Sequence, residues 1–449
     1  MTTEPEVVTL EPEPAEEAQR RAAGALVAAG LGPGDRVAFC LPSSAALLVC
    51  VLGALRRGIV PVLLNATLLP AERDVLMADA EPALTVVDEA GLSALLSGPR
   101  VELARYPLAR PMHYTSGTTG RAKGVWSGVF GDEDARELFE DEADLWGFDA
   151  SDTHLVCSPM YHSVSIRFAA GTLLRGGRLV ILSRFDAAVA AAAVRRFRPT
   201  TTFVAPTALQ RLVGHDDATP DAVGLWDSFR LIVHAGSPCP PSLKWAALAR
   251  ARPGVVWEFY GSTEGQFTAC SPEEWMARPG TVGRARPGRR LRTDDDGTVW
   301  CRCPSFARFR YWNDDEATAR AWRGDEFTVG DLGRLDDGGY LFLDGRRDDL
   351  VITGGVNVYP AEVEAVLAEA PGVVEVAVFA VADETWGERV CAAVVGTVDE
   401  AALRRHMAAR VAPYKRPKTY FRVEELPRTA TGKLRRRALP GLLGLQPPA

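Results

Sequence analysis

The stretch Arg36–Leu64, RVAFCLPSSAALLVCVLGALRRGIVPVLL, reads as strand, helix and strand in immediate succession. RVAFCL (Arg36–Leu41) has the apolar density of a buried strand. Pro42-Ser43-Ser44 then offers a cap for an apolar helix from Ala45 to about Arg57, and Gly58 ends it. IVPVLL follows at once. This spacing predicts a βαβ unit and a sheet with parallel pairs. The alternation recurs downstream. HLVC (His154–Cys157), a helix from about Ser165, RLVIL (Arg178–Leu182), an alanine-rich helix to Phe197, TTFV and RLIVHAG continue it. The fold class expected is α/β: a large layered N-terminal domain with mixed sheets flanked by helices.

After Gly280 the texture changes to short strands punctuated by turns: GTVWCR, YWN and DLGRLDDGGYLFLDGR. Their Asp-Asp-Gly and Asp-Gly-Arg corners are hairpin chemistry. Beyond Arg346 the chain restarts with a helix at Tyr359–Glu369, the alternating strand VVEVAVFAV, the strand VCAAVV and a helix near Ala401–Val411. These elements predict a small α+β C-terminal domain. The division expected is 1–345 for the N-terminal domain, a hinge at 346–348, and 349–449 for the C-terminal domain.

The 449 residues are 47% hydrophobic and 24% charged, the profile of a soluble globular protein. A formal net charge of -7 gives no global field that would draw the chain to nucleic acid. The start, MTTEPEVVTLEPEPAEE, lacks the basic flank and apolar core of a signal peptide. The longest apolar stretch, Ala45–Leu55, is short of the roughly 20 residues that span a bilayer. A cytoplasmic protein with no membrane span is expected. The eight cysteines are scattered, and the Cys301/Cys303 spacing fits neither a zinc knuckle nor a redox pair. They read as reduced packing residues.

The most informative segment for chemistry is His113–Gly124, HYTSGTTGRAKG. Its glycines let a backbone approach a polyphosphate, its hydroxyls can donate to phosphate oxygens, and Lys123 can reach the charge. It is not a Walker loop, because Ala122 and Gly124 stand where that pattern needs Gly and Ser or Thr.

YTSGTTGRAKGV resembles the phosphate-binding motif of the adenylate-forming superfamily, which holds acyl- and aryl-CoA synthetases, adenylation domains and beetle luciferases. The family's other motifs follow in order. Tyr260-Gly261-Ser262-Thr263-Glu264 resembles its YGxTE, and Thr328-Val329-Gly330-Asp331 its TGD, with Val where Gly is usual. Gly345-Arg346-Arg347-Asp348-Asp349 resembles its hinge, and Pro427–Lys433 its PxTxxGK. The likeness is strongest to acyl-CoA synthetases. It implies an ATP-dependent ligase that joins a carboxylic acid to AMP and hands the acyl group to CoA.

The resemblance assigns roles residue by residue. Thr115, Ser116, Gly117, Thr118, Thr119 and Gly120 would hold the β- and γ-phosphates of ATP, with Lys123 nearby. Thr263 would bind the α-phosphate and Glu264 would hold Mg²⁺. Tyr260 would stack on adenine, Gly261 and Ser262 belong to the same motif, and Ala235, Gly236 and Ser237 would line the base's other side. Asp331 would bind the ribose with Arg346 assisting. Lys433, a compact charge on a flexible stem, would bridge the substrate carboxylate and the α-phosphate. Asp348 matches the hinge about which the C-terminal domain rotates, after which Gly355 would line the thiol channel.

His162, in Met160-Tyr161-His162-Ser163, resembles the family's histidine near the carboxylate and would gate or pack the acyl site. Tyr161-His162-Ser163-Val164 stands where amino-acid-activating members carry an Asp, which argues against an α-amino acid. Arg167 reads as a residue of an ordinary helix face, against the competing reading of a partner for a second anionic group. The chain is shorter than most members of the family. The thiol acceptor stays open between CoA and an acyl-carrier protein or another nucleophile, and a nucleotide-binding pseudoenzyme is the reading of another class.

Overall fold

A computed structural model of the chain describes residues 5–115, 122–218, 224–346, 349–353, 356–383, 386–411, 413–428 and 434–448. The chain divides into two compact units, residues 1–291 with 301–327 and residues 292–300 with 328–449.

In the first unit, Arg36–Phe39 pairs in parallel with Val60–Leu63, and the helix Ala45–Leu55 connects them. Ser44 caps that helix by accepting the Leu47 N–H at 3.1 Å. Every residue from Leu47 to Leu55 is buried, as a helix apolar on all sides requires. Gly58 turns the chain at φ +71°, where a Cβ would lie 3.1 Å from Pro33 and Val129. Leu84–Val86 adds in parallel to the other edge of Arg36–Phe39.

The main sheet has six strands, in spatial order Val7–Leu10, Arg178–Leu182, Thr153–Val156, Thr201–Val204, Leu231–His234 and Val256–Glu258. The last five are parallel, and Val7–Leu10 closes the edge antiparallel to Arg178–Leu182. That edge strand lies in the acidic start, where a four-residue VVTL between prolines and glutamates is too short to show a period. Pro12 then opens the helix Pro12–Ala28. A smaller antiparallel sheet joins His113–Thr115, Lys123–Trp126 and Arg310–Tyr311.

In the second unit the hairpin Asp331–Leu335 with Leu341–Arg346 forms as read. Asp336 makes its turn, its Oδ1 accepting the N–H groups of Gly338 at 3.0 Å and Tyr340 at 2.8 Å. Beyond it, a five-stranded sheet is built on the long pair Val373–Asp383 and Gly387–Gly396. Alternation along Val373–Asp383 serves two cores. Val376 and Val378 face one with the helices Pro360–Ala368 and Glu400–Ala408, while Ala377, Phe379 and Val381 face another with Leu426 and Leu439. All eight cysteines are free thiols, six of them buried.

Candidate active site

Three of the segments singled out from the sequence leave the main sheet at the carboxyl ends of its parallel strands. Met160–Ser163 follows Thr153–Val156, Ala235–Ser237 follows Leu231–His234, and Tyr260–Glu264 follows Val256–Glu258. This is the end of an open α/β sheet where ligands bind.

Tyr260 is buried with its ring 4.7 Å from that of Phe267, and its carbonyl accepts the Phe267 N–H at 3.0 Å. Between them the chain folds back on itself. The Ser262 N–H donates to the Gly265 carbonyl at 2.8 Å, and a Cβ on Gly261 would stand 3.0 Å from that oxygen. A Cβ on Gly265 would come within 2.5 Å of the Phe327 ring, so glycine is required there. Thr263 and Glu264 ride on this turn. Arg110 donates through Nη2 to the Thr263 carbonyl at 3.1 Å and through Nη1 to Ser127 Oγ at 3.4 Å. The buried Glu264 accepts the Tyr311 hydroxyl at 2.9 Å, and Lys123 Nζ lies 5.0 Å from the Tyr311 ring centre.

Tyr311 thus brings together Glu264 and Lys123, two residues 141 apart in the sequence. Lys123 is the cross-strand partner of Thr115, so one hairpin carries both flanks of the glycine loop. Gly236, at φ +95°, and Ser237 are exposed past the buried Ala235, leaving an open turn beside a strand end. His162 is the N-cap of the helix Ser163–Leu174, with its ring 4.7 Å from Tyr161. The Met160 N–H, two residues earlier, donates to Ser43 Oγ at 3.0 Å. Burial, with His162 nearby, pushes the His113 imidazole down to about 3, so this ring is neutral at pH 7. In the second unit, Asp331 is buried at the start of its strand, in register with Arg346. Ser116, Gly117, Thr118, Thr119, Gly120, Asp348, Gly355 and Lys433 lie outside the described residues.

Among the described residues no cluster of His, Cys, Asp or Glu could hold a metal ion unaided. A lone buried carboxylate such as Glu264 fits Mg²⁺, which takes one or two protein carboxylates and completes its shell with phosphate oxygens and water.

Two buried charge clusters had no signal in the sequence. In the first, Lys244 Nζ lies 2.5 Å from His234 Nε2 and 3.5 Å from Glu258 Oε2. In the second, Glu142 accepts from Arg167 at 3.2 Å, Arg286 at 3.2 Å and Trp146 Nε1 at 2.9 Å. Asp141 pairs with Arg286 at 3.0 Å and with Arg289 at 2.5 Å. Burial alone would raise the Glu142 carboxyl, but Arg167 and Arg286 outweigh it and hold the group below its usual range. The reading of Arg167 as an ordinary helix-face residue is therefore corrected: it is fixed to Glu142, with its guanidinium 5.8 Å from the Phe259 ring centre. Arg110 and Tyr311 were missed because their partners lie 153 and 47 residues away.

Comparison with known proteins supplies an independent view. The family model described as AMP-binding enzyme matches residues 14–105 and 111–301, and that of the AMP-binding enzyme C-terminal domain matches residues 362–433. The 2-succinylbenzoate–CoA ligase of Geobacillus kaustophilus is 32% identical over 93% of this chain and 90% of its own. The long-chain-fatty-acid–CoA ligase FadD13 of Mycobacterium tuberculosis is 31% identical over 92% of this chain and 89% of its own. Among solved structures, the o-succinylbenzoate CoA synthetase of Bacillus subtilis with its acyl-adenylate intermediate superposes with a TM-score of 0.83. It is 27% identical and covers 95% of this chain and 92% of its own. The same enzyme has been solved with ATP and a magnesium ion, at a TM-score of 0.80.

Proposed function

This chain belongs to the family of AMP-binding enzymes, and from that premise we propose that it is an AMP-forming acid–thiol ligase of the acyl-CoA synthetase type. In the first half-reaction a carboxylate oxygen attacks the α-phosphorus of ATP, and pyrophosphate leaves. In the second, the thiol of CoA attacks the acyl carbonyl of the adenylate, its proton is released, and AMP leaves. The observation that carries this reading is the turn Ser262–Glu264 at the carboxyl end of the sheet, whose Glu264 accepts from the Tyr311 hydroxyl while Lys123 lies over the Tyr311 ring.

The first half-reaction brings two anions together, and like unit charges about 4 Å apart repel by about 1 kcal/mol even in water. Oriented donors and positive charge must offset this where charge grows. We assign the β- and γ-phosphates to Thr115–Gly120 with Lys123, and the α-phosphate to Thr263. Glu264 holds Mg²⁺, which supplies charge neutralisation when bound. Tyr260 and Ala235–Ser237 take adenine, Asp331 with Arg346 takes the ribose, and His162 packs the acyl site. Lys433 bridges the carboxylate and the α-phosphate. In the domain division 1–345, 346–348 and 349–449, the second half-reaction follows rotation about Asp348, which brings Gly355 to the thiol. Among the described residues no helix is long and apolar enough to cross a membrane, in keeping with the cytoplasmic location we infer.

Separating the half-reactions tests the assignment. Lys433→Ala lowers acyl-adenylate formation at least about a hundredfold, because it removes a transition-state contact. Asp348→Pro spares adenylation and blocks thioester formation, because it freezes the hinge. Loss of the same half-reaction in both variants contradicts this division of labour.

A further inference from the structure

The ligase reading leaves the acid unnamed, and the charge cluster beside Thr263 bears on its class. Three guanidinium groups, those of Arg167, Arg286 and Arg289, gather around the two carboxylates of Asp141 and Glu142, and a fourth, that of Arg110, lies within their field. Glu264 also acts on Arg110, but its carboxylate bonds to Tyr311 and is the one assigned to the metal. With Glu264 counted, these named groups are four guanidiniums to three carboxylates. Arginine cannot relieve this by losing its proton near neutral pH.

The excess is localised. Arg167, Arg286 and Arg289 each have a carboxylate partner within 4.0 Å, whereas Arg110, among the described residues, has none. Its hydrogen bonds go to one hydroxyl and one carbonyl, which leaves N–H donors of the planar fork unused. The residue is set deep among other side chains yet remains partly open, as are Ser127, Thr263 and His162. A guanidinium in such surroundings without an anion is poorly compensated, and a carboxylate arriving against it forms a charge-assisted pair of the kind the planar fork makes bidentate.

Position narrows the ligand. The hydrogen bond to the Thr263 carbonyl puts the guanidinium beside the residue assigned to the α-phosphate, where the acid must meet ATP. Behind the helix that starts after His162, the rings of Phe139, Phe168, Phe203 and Phe259 pack into one buried cluster, and Arg167 lies over the last of them.

We propose that Arg110 is a specificity residue that receives a second anionic group on the substrate, so that the enzyme activates acids bearing a second carboxylate. The inference rests on the ligase reading above. A tether of the Thr263 turn would serve every acid alike, and a phosphate contact would act through the KM for ATP; a receptor for a second carboxylate acts on the choice between acids.

The test measures pyrophosphate release with ATP and Mg²⁺ for matched acids: succinate with butanoate, glutarate with pentanoate, and phthalate with benzoate. The wild type favours the diacid of a pair in kcat/KM. Arg110→Gln lowers that preference at least about tenfold without raising the KM for ATP, and Arg110→Lys restores part of it. An unchanged preference in Arg110→Gln overturns the proposal, as does a raised KM for ATP with both acids slowed equally. Should Arg110→Gln fail to fold, the wild-type preference decides by itself. Turnover of monoacids alone overturns this inference and leaves the ligase reading standing. Silence from every acid in the wild type overturns both.

Discussion

The two buried charge clusters of the first unit are made from similar groups and end in opposite electrostatic states. Around Lys244, one ammonium meets one imidazole and one carboxylate, and the three groups are buried. Burial pushes Lys244 down, holds His234 well below its usual value and lifts the Glu258 carboxyl to about 6. Each shift moves its group toward the uncharged form. Around Glu142 the cations are arginines. Burial and the neighbouring Arg167 bring Arg110 down only to about 10, so its charge is intact at neutral pH. A lysine, a glutamate and a histidine can settle their burial by exchanging protons inside the fold. Arginines cannot, and among the described residues Arg110 has no carboxylate partner. The first cluster is architecture: it ties the strand end before Ala235 to the strand end before Tyr260. The second, on the proposal above, takes up the substrate's second carboxylate at Arg110.

Three substitutions probe that difference. The largest effect on stability is expected from Lys244→Met, which leaves Glu258 buried without its cation. The cost is about 3–5 kcal/mol, and adding Glu258→Gln recovers part of it. Chemical denaturation of the two variants decides; equal stability of single and double variants would show that the pair is not coupled. A smaller loss, about 1–2 kcal/mol, is expected for Arg286→Met, because Glu142 keeps Arg167 and Asp141 keeps Arg289. A loss as large as that of Lys244→Met would mean the arginine cluster has no surplus.

An effect of similar size is a pH dependence. The folded state holds the Glu258 proton up to about 6, against an ordinary value of 4.5. Its contribution is therefore complete below about pH 4.5 and is lost as pH rises through about 6. Across this window the wild type should lose at most about 2 kcal/mol that Glu258→Gln does not lose. The same slope in both proteins would place the titration elsewhere.

What could be read from the sequence was what has a short period or a local partner. The apolar run Ala45–Leu55 with Ser44 before it, and the alternation in Val373–Asp383, announce their elements because each residue's environment repeats within a few positions. The edge strand Val7–Leu10 was hidden because its partner is some 170 residues away and its own composition is that of a solvated tail. For the site, Tyr260, Thr263, Glu264 and Lys123 were reached through motif resemblance, and the structure places Glu264 and Lys123 around one tyrosine. Tyr311 and Arg110 carry no motif recognised in the sequence, and their contacts exist only once distant segments have met. Charge balance is likewise a property of the assembled core. Arg167 reads in the sequence as a residue of an ordinary helix face, because Glu142, on another helix, stands opposite it only in the assembled fold.

The central claim, that this chain adenylates a carboxylic acid and passes it to a thiol, is tested most directly by incubating it with ATP, Mg²⁺ and a panel of acids, with and without CoA. The account predicts acid-dependent pyrophosphate release, with AMP and an acyl-CoA formed in equal amounts when CoA is present. Acid-dependent release that leaves CoA unconsumed would assign the second step to a carrier-protein thiol or another nucleophile. Binding of ATP with no pyrophosphate released for any acid would contradict the account.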